Sequence, residues 1–128
     1  MLKPPICLIS VRHIFYLASC DTCQKILAIW QPAADITRQN IKTEPITPDQ
    51  IDEMRRLAGS YEALFSRIAR KFRAQELHTQ TLGEADYRRL ILEEYTFLKR
   101  PVLLLDEQIF IGNSPKNVQA AKYALDKA

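Results

Sequence analysis

From His13 to Ser19 the chain runs almost unbroken through apolar and β-branched positions, His13-Ile-Phe-Tyr-Leu-Ala-Ser19. That pattern fits a strand buried on both faces. The period then changes: Ile26, Leu27, Ile29 and Trp30 recur at helical spacing, and Pro32 ends the run, so a helix follows the strand directly. Ile36 to Lys42 lies between turn-type residues and predicts a second, weaker strand.

Thr47-Pro48-Asp49-Gln50 opens the next element with a Thr cap, Pro at the first helical position and Gln three residues after the cap. Ile51, Met54, Leu57 and Ala58 keep the helical spacing and Gly59 terminates it. Tyr61, Leu64, Phe65, Ile68 and Phe72 predict another helix, whose other face carries Arg67, Arg70, Lys71 and Arg73 as a solvated basic run. Thr81-Leu-Gly-Glu84 has the form of a capping box and predicts a third helix through Tyr87, Leu90, Ile91 and Tyr95. Arg100-Pro101-Val-Leu-Leu-Leu105 reads as a buried strand with proline at its first position. Asp106-Glu107 turns it into Gln108-Ile-Phe-Ile-Gly112, and Ser114-Pro115 caps a last helix with Val118, Ala121, Ala124 and Leu125 facing inward.

The order β-α-β, helices, β-β-α gives an α+β fold in one compact domain. Residues 1–12 form an N-terminal extension and residues 47–98, approximately, a helical insert. A chain of 128 residues, 47% hydrophobic and 26% charged, is long enough for a sizeable core. Its net charge of +3 is too small to argue for nucleic-acid binding, and direct contact with nucleic acid is not expected. No apolar stretch approaches the roughly 20 residues that span a bilayer, so no membrane partner is expected. Three cysteines are too few and odd in number for a disulfide framework, which points to a reducing, cytoplasmic setting.

Cys20-Asp-Thr-Cys23 stands where the first strand gives way to the helix. A helix start presents unpartnered N–H groups and partial positive charge, which stabilise a thiolate, the nucleophilic form of cysteine. A second cysteine one turn on can close a disulfide with the first. Two other readings stand beside this one. The pair could be idle thiols, or half of a zinc site, for which only Cys7, His13 and His78 remain as ligands and none has ligand spacing. Leu17-Ala-Ser-Cys20 also has the form of a lipoprotein cleavage site, although Arg12 and His13 interrupt the apolar run that such a signal needs.

The Cys motif after the first strand, the helical insert, Leu98-Lys99-Arg100-Pro101-Val102-Leu103 and the hairpin ending in Gly112 together resemble the arsenate reductase family. The resemblance runs from His13 onward. It implies a thioredoxin-like fold with a mixed sheet packed by helices, and a glutaredoxin-like, thiol-dependent oxidoreductase with a redox-active disulfide. Cys20 would be the nucleophile and Cys23 the resolving thiol. Arg100 would face the thiolate or an anion, and Pro101 would be cis beside the cysteines. Gln24 and Asn113 occupy positions where family members carry oxyanion-binding arginines, and Glu62 stands near a third. The substrate would be a disulfide, a glutathione adduct or an oxyanion, and with Gln24, Glu62 and Asn113 there arsenate itself is disfavoured. No bound cofactor is implied; glutathione, or a glutaredoxin or thioredoxin protein, would supply electrons. The alternative is a redox-sensing regulator like the Spx members of the family, which bind RNA polymerase.

Overall fold

The computed structural model describes residues 12–128; Cys7 and nearly all of the segment read as an N-terminal extension lie outside these. Two compact units are present. One comprises the described residues up to Asn40 together with Arg100–Ala128, and the other is Ile41–Lys99, which contains all of the segment read as a helical insert.

The first unit holds strand β1 (Arg12–Tyr16), helix α1 (Asp21–Trp30), strand β2 (Thr37–Asn40), strands β3 (Val102–Leu105) and β4 (Gln108–Ile111), and helix α5 (Pro115–Lys127). The sheet order is β2-β1-β3-β4. Strand β1 runs parallel to β2 and antiparallel to β3, with Ile14 opposite Leu103. Strands β3 and β4 form an antiparallel hairpin. The sheet is therefore mixed. Ile14 and Phe15, which point to opposite faces as neighbours on a strand must, are 0% and 1% exposed. Helices α1 and α5 cover one face, where Ile14, Leu103 and Leu105 pack against Ile26, Trp30, Val118 and Ala121.

Strand β1 ends at Tyr16 rather than at Ser19. Beyond it the backbone bonds away from the ladder: Ala18 N–H donates to Asn40 Oδ1 (3.3 Å) and Cys20 N–H to the Leu17 carbonyl (3.0 Å). On α1, Ile26 and Trp30 are buried, while Ile29 is 52% exposed. At 3.6 residues per turn Ile29 lies about 100° around the helix from Trp30, so the apolar run is wider than the face it packs. The hairpin turns on Asp106-Glu107 as expected, with Asp106 in the left-handed region at φ 56°, where aspartate is better tolerated than most residues.

In the second unit, helix α2 (Pro48–Ala58) matches its sequence signature from end to end. Gln50 N–H donates to Thr47 Oγ1 (3.1 Å), Thr47 N–H donates to Gln50 Oε1 (3.0 Å), and Gly59 takes φ 97° at the C-terminal end. Thr47→Ala is expected to lower stability by about 1 kcal/mol, read as a reduced urea midpoint with unchanged slope.

The helix read through Tyr61–Phe72 is instead broken. A 3₁₀ turn at Glu62–Leu64 gives way to extended chain at Phe65, and helix α3 covers only Arg70–Ala74. Ser66 N–H donates to the Phe97 carbonyl (2.6 Å) and Lys99 N–H to the Leu64 carbonyl (2.8 Å). These bonds between distant segments override the local spacing and leave Ile68 93% exposed. Phe65 packs against Phe72, Tyr87 and Phe97 at ring-centre distances of 5.9, 4.9 and 5.1 Å. Arg67, Arg70, Lys71 and Arg73 are all exposed.

The expected Thr81–Glu84 box does not form. Helix α4 (Glu84–Glu93) is capped at Gly83, whose N–H donates to Asp86 Oδ2 (2.9 Å). Glu84 accepts instead from the N–H groups of Tyr61 and Glu62 (2.7 and 3.1 Å), and Tyr95–Phe97 form a 3₁₀ turn after the helix.

Candidate active site

The cysteine turn is built from local sequence and completed by distant residues. Four residues, Leu17 to Cys20, reverse the chain from β1 into α1, and Cys20 occupies the cap position with extended backbone (φ −94°, ψ 116°). Gln24 folds its amide back to donate to the Ala18 carbonyl, and Asn40 at the end of β2 receives Ala18 N–H. The loop carrying Cys20 is thus tied to the first turn of α1 and to the neighbouring strand.

The two thiols differ sharply. Cys20 is partly exposed and Cys23 is 1% exposed; both are free. Burial pushes the Cys20 pKa up, but the backbone N–H of Cys23, the Cys23 thiol, the N–H of Thr22 and the Arg100 cation outweigh it, and the net shift is downward. The sulfur makes no cap bond of full geometry, so its stabilisation comes from donors grouped around it, as expected at a helix start. For Cys23, burial raises the pKa, and repulsion from Cys20 together with the bond between the two sulfurs raises it further. The N–H of Leu17 and the Arg100 cation act in the opposite direction, and the thiol ends pushed up to about 11. A thiolate-prone sulfur at the surface therefore sits one turn from a protonated, buried partner that donates to it.

Arg100 acts on both sulfurs through its charge. The bond that follows it, Arg100–Pro101, is cis. Pro101 is buried, and its carbonyl accepts from Gly112 N–H at 2.9 Å, which ties the start of β3 to the end of β4. Gly112 needs its φ of 91° there, and Asn117 Nδ2 holds its carbonyl at 2.9 Å. Cys20, Cys23 and Arg100 are thus brought together electrostatically. Gln24 is a support for the cysteine loop. Asn113 is exposed at the mouth of a groove between α1 and α5. Glu62 pairs with Arg67 (2.8 Å) within the second unit. Asn40, and the N–H groups of Leu17 and Thr22, were not legible as site components. Their role depends on which strand lies beside β1 and on backbone direction, neither of which leaves a residue-type signal. Among the described residues, no three His, Cys, Asp or Glu side chains gather as a metal site would require.

The sequence model of the ArsC family matches residues 15–121. The chain belongs to the ArsC family. It is 26% identical over 109 residues to the global transcriptional regulator Spx 2 of Bacillus anthracis, a match covering 83% of this chain and 82% of the relative. An arsenate reductase related protein from Brucella melitensis superimposes with a TM-score of 0.65 at 26% identity, over 86% of this chain and 92% of that one. The arsenate reductase from Vibrio cholerae superimposes with a TM-score of 0.66 over 87% of this chain and 98% of its own. At 16% identity this last likeness is one of fold alone. The mixed four-stranded sheet with flanking helices is the thioredoxin-like arrangement of these neighbours, so this ArsC-family chain has the fold class read from its sequence. No helix among the described residues is long and apolar enough to cross a membrane.

Proposed function

We propose that this ArsC-family chain is a thiol–disulfide oxidoreductase in which Cys20 attacks and Cys23 resolves. One observation carries the reading: two thiols one helical turn apart are displaced in opposite directions, the outer one downward and the inner one up to about 11. Inert buried thiols would both rise. The Cys20 thiolate attacks one sulfur of a substrate disulfide, forming a mixed disulfide and expelling the other half as a thiolate. That step also removes the negative charge that had been holding the Cys23 proton in place. Cys23 then gives up its proton and attacks the Cys20 sulfur, closing Cys20–Cys23 and releasing the second substrate thiolate. Two equivalents of glutathione, or one reduced thioredoxin-type protein, return the pair to the dithiol, which places the reaction in a reducing compartment such as the cytosol. Arg100 favours the thiolate and would meet an anionic substrate group; Pro101 holds the facing segment.

Arsenate is disfavoured as the substrate. Gln24 brings no charge and spends its amide on the Ala18 carbonyl, and the Arg67 cation is already paired with the Glu62 carboxylate.

The test is the pH dependence of alkylation. At constant reagent, iodoacetamide should label Cys20 with a midpoint below that of an ordinary thiol. Cys23 should label only after Cys20, since burial still holds its proton when the charge on Cys20 has been removed by alkylation. The sign follows from the thiolate being the reactive form: lowering a pKa moves the rise in rate to lower pH. A Cys20 midpoint at the free-thiol value, with no Cys20–Cys23 disulfide on mild oxidation, sinks the proposal.

A second reading is favoured by the relative from Bacillus anthracis, named as a transcriptional regulator. The same pair would then serve as a redox switch on binding to RNA polymerase. Co-purification with polymerase from reducing lysate and release on oxidation would support it. Steady turnover of a glutathione-linked disulfide would favour the enzyme.

A further inference from the structure

A groove of about 600 Å³ runs between α1 and α5. Of the three large apolar side chains exposed among the described residues, Ile29 (52%) and Tyr123 (65%) both form its walls, while the buried Ile26 and Val118 form its floor. The two walls follow single helical stripes, from Thr22 to Ile29 on α1 and from Pro115 to Asp126 on α5. At 1.5 Å per residue these stripes extend about 10 and 16 Å. Spread over the longer wall, the volume gives a cross-section of roughly 35–40 Å². That admits an alkyl chain or an aromatic ring.

The charges at its rim are unequal. Lys122 is neutralised by Asp126 at 2.9 Å. Lys25 is exposed, and none of the ion pairs among the described residues involves it. Lys127 Nζ lies over the Tyr123 ring, 4.8 Å from its centroid. Among the described residues Lys25 is thus the lining ammonium with neither a carboxylate nor a ring beside it. A lone ammonium with no guanidinium fork suits one carboxylate better than a dianionic phosphate. Apolar walls with a few polar groups at the ends are the general anatomy of a small-ligand site.

From this we infer that the α1–α5 groove binds an amphipathic monocarboxylate, its apolar body lying along Ile26, Ile29, Val118 and Tyr123 and its carboxylate at Lys25. The inference does not rest on the thiol reaction, since no cysteine lines the groove, although Thr22, whose N–H supports Cys20, stands at its α1 end.

Decanoate, below its micelle concentration, is the probe, with decanol as its neutral counterpart and NMR amide shifts as the readout. Wild-type protein is expected to show saturable one-to-one binding, with the shifts confined to α1 and α5. Lys25→Ala should weaken decanoate about three- to fivefold, as loss of an exposed charge pair would, and leave decanol unchanged. Ile29→Glu, an exposed change that leaves the core intact, should remove both ligands. Non-saturable binding, shifts centred elsewhere such as around Ile68, or affinity indifferent to Ile29→Glu would overturn the inference.

Discussion

Cys20→Ser is expected to abolish reduction of a glutathione-linked disulfide, bringing turnover to the uncatalysed background, because a serine hydroxyl is not ionised under conditions where this cysteine is. Cys23→Ser is expected to behave differently. It keeps the nucleophile and its surrounding donors from Thr22 and the cation of Arg100, so the first attack proceeds and the protein accumulates as a mixed disulfide on Cys20. Intact-mass measurement after exposure to oxidised glutathione separates the outcomes: an adduct on Cys23→Ser and none on Cys20→Ser. Cys20 is partly exposed at a helix cap, so its serine variant should fold, and circular dichroism checks this. Full turnover by Cys20→Ser would remove the cysteine pair from the mechanism.

The largest effect on stability is expected at Trp30. This residue is 1% exposed, sits in the cluster that joins α1 and α5 to the sheet, and donates its indole N–H to the Val118 carbonyl at 3.1 Å. Trp30→Ala removes the packing and the indole's bond to that carbonyl, which keeps its own helical hydrogen bond. The cost of truncating a buried aromatic is about 3–5 kcal/mol. For a chain of this size the melting temperature should fall by roughly 10–20 °C. Trp30→Phe keeps most of the apolar contact and gives up the hydrogen bond, so it should lose about 1–2 kcal/mol through the lost bond and the smaller ring. A calorimetric scan of the two variants tests the order; equal melting temperatures for Trp30→Ala and wild type would show that the cluster is not the core of the first unit.

What could be read from the sequence was what neighbouring residues decide. The Thr47–Gln50 box spans four residues and formed as read. The cysteine turn, the Ser114-Pro115 start of α5 and the 106–107 hairpin are equally local, and all occurred. The errors arose where a distant segment competed. Ile68 fits a helical stripe in sequence, yet pairing of residues 64–66 with 97–99 pulls the backbone out of the helix. Ile29 fits its stripe too, but helical spacing does not say how wide a face the sheet will cover. At the site, the cysteines and Arg100 could be named from residue type and resemblance. The opposite displacement of the two thiols could not, because it depends on their burial and on N–H directions.

The central pairing of the sheet has a consequence for the growing chain. Arg12 is opposite Leu105 and Phe15 opposite Val102, so the middle of the sheet cannot close until a ribosome has added about 90 further residues. At the usual 5–20 residues per second that is a wait of roughly 5–20 s. Over that interval the cysteines have emerged, while Arg100 and the strand after it have not yet been made. The segment from Ile41 to Lys99 is continuous and can acquire its aromatic cluster during translation. During synthesis the Arg100 charge and the closed sheet are therefore missing from the surroundings of Cys20 and Cys23, and their inequality is complete only when residues 100–128 arrive.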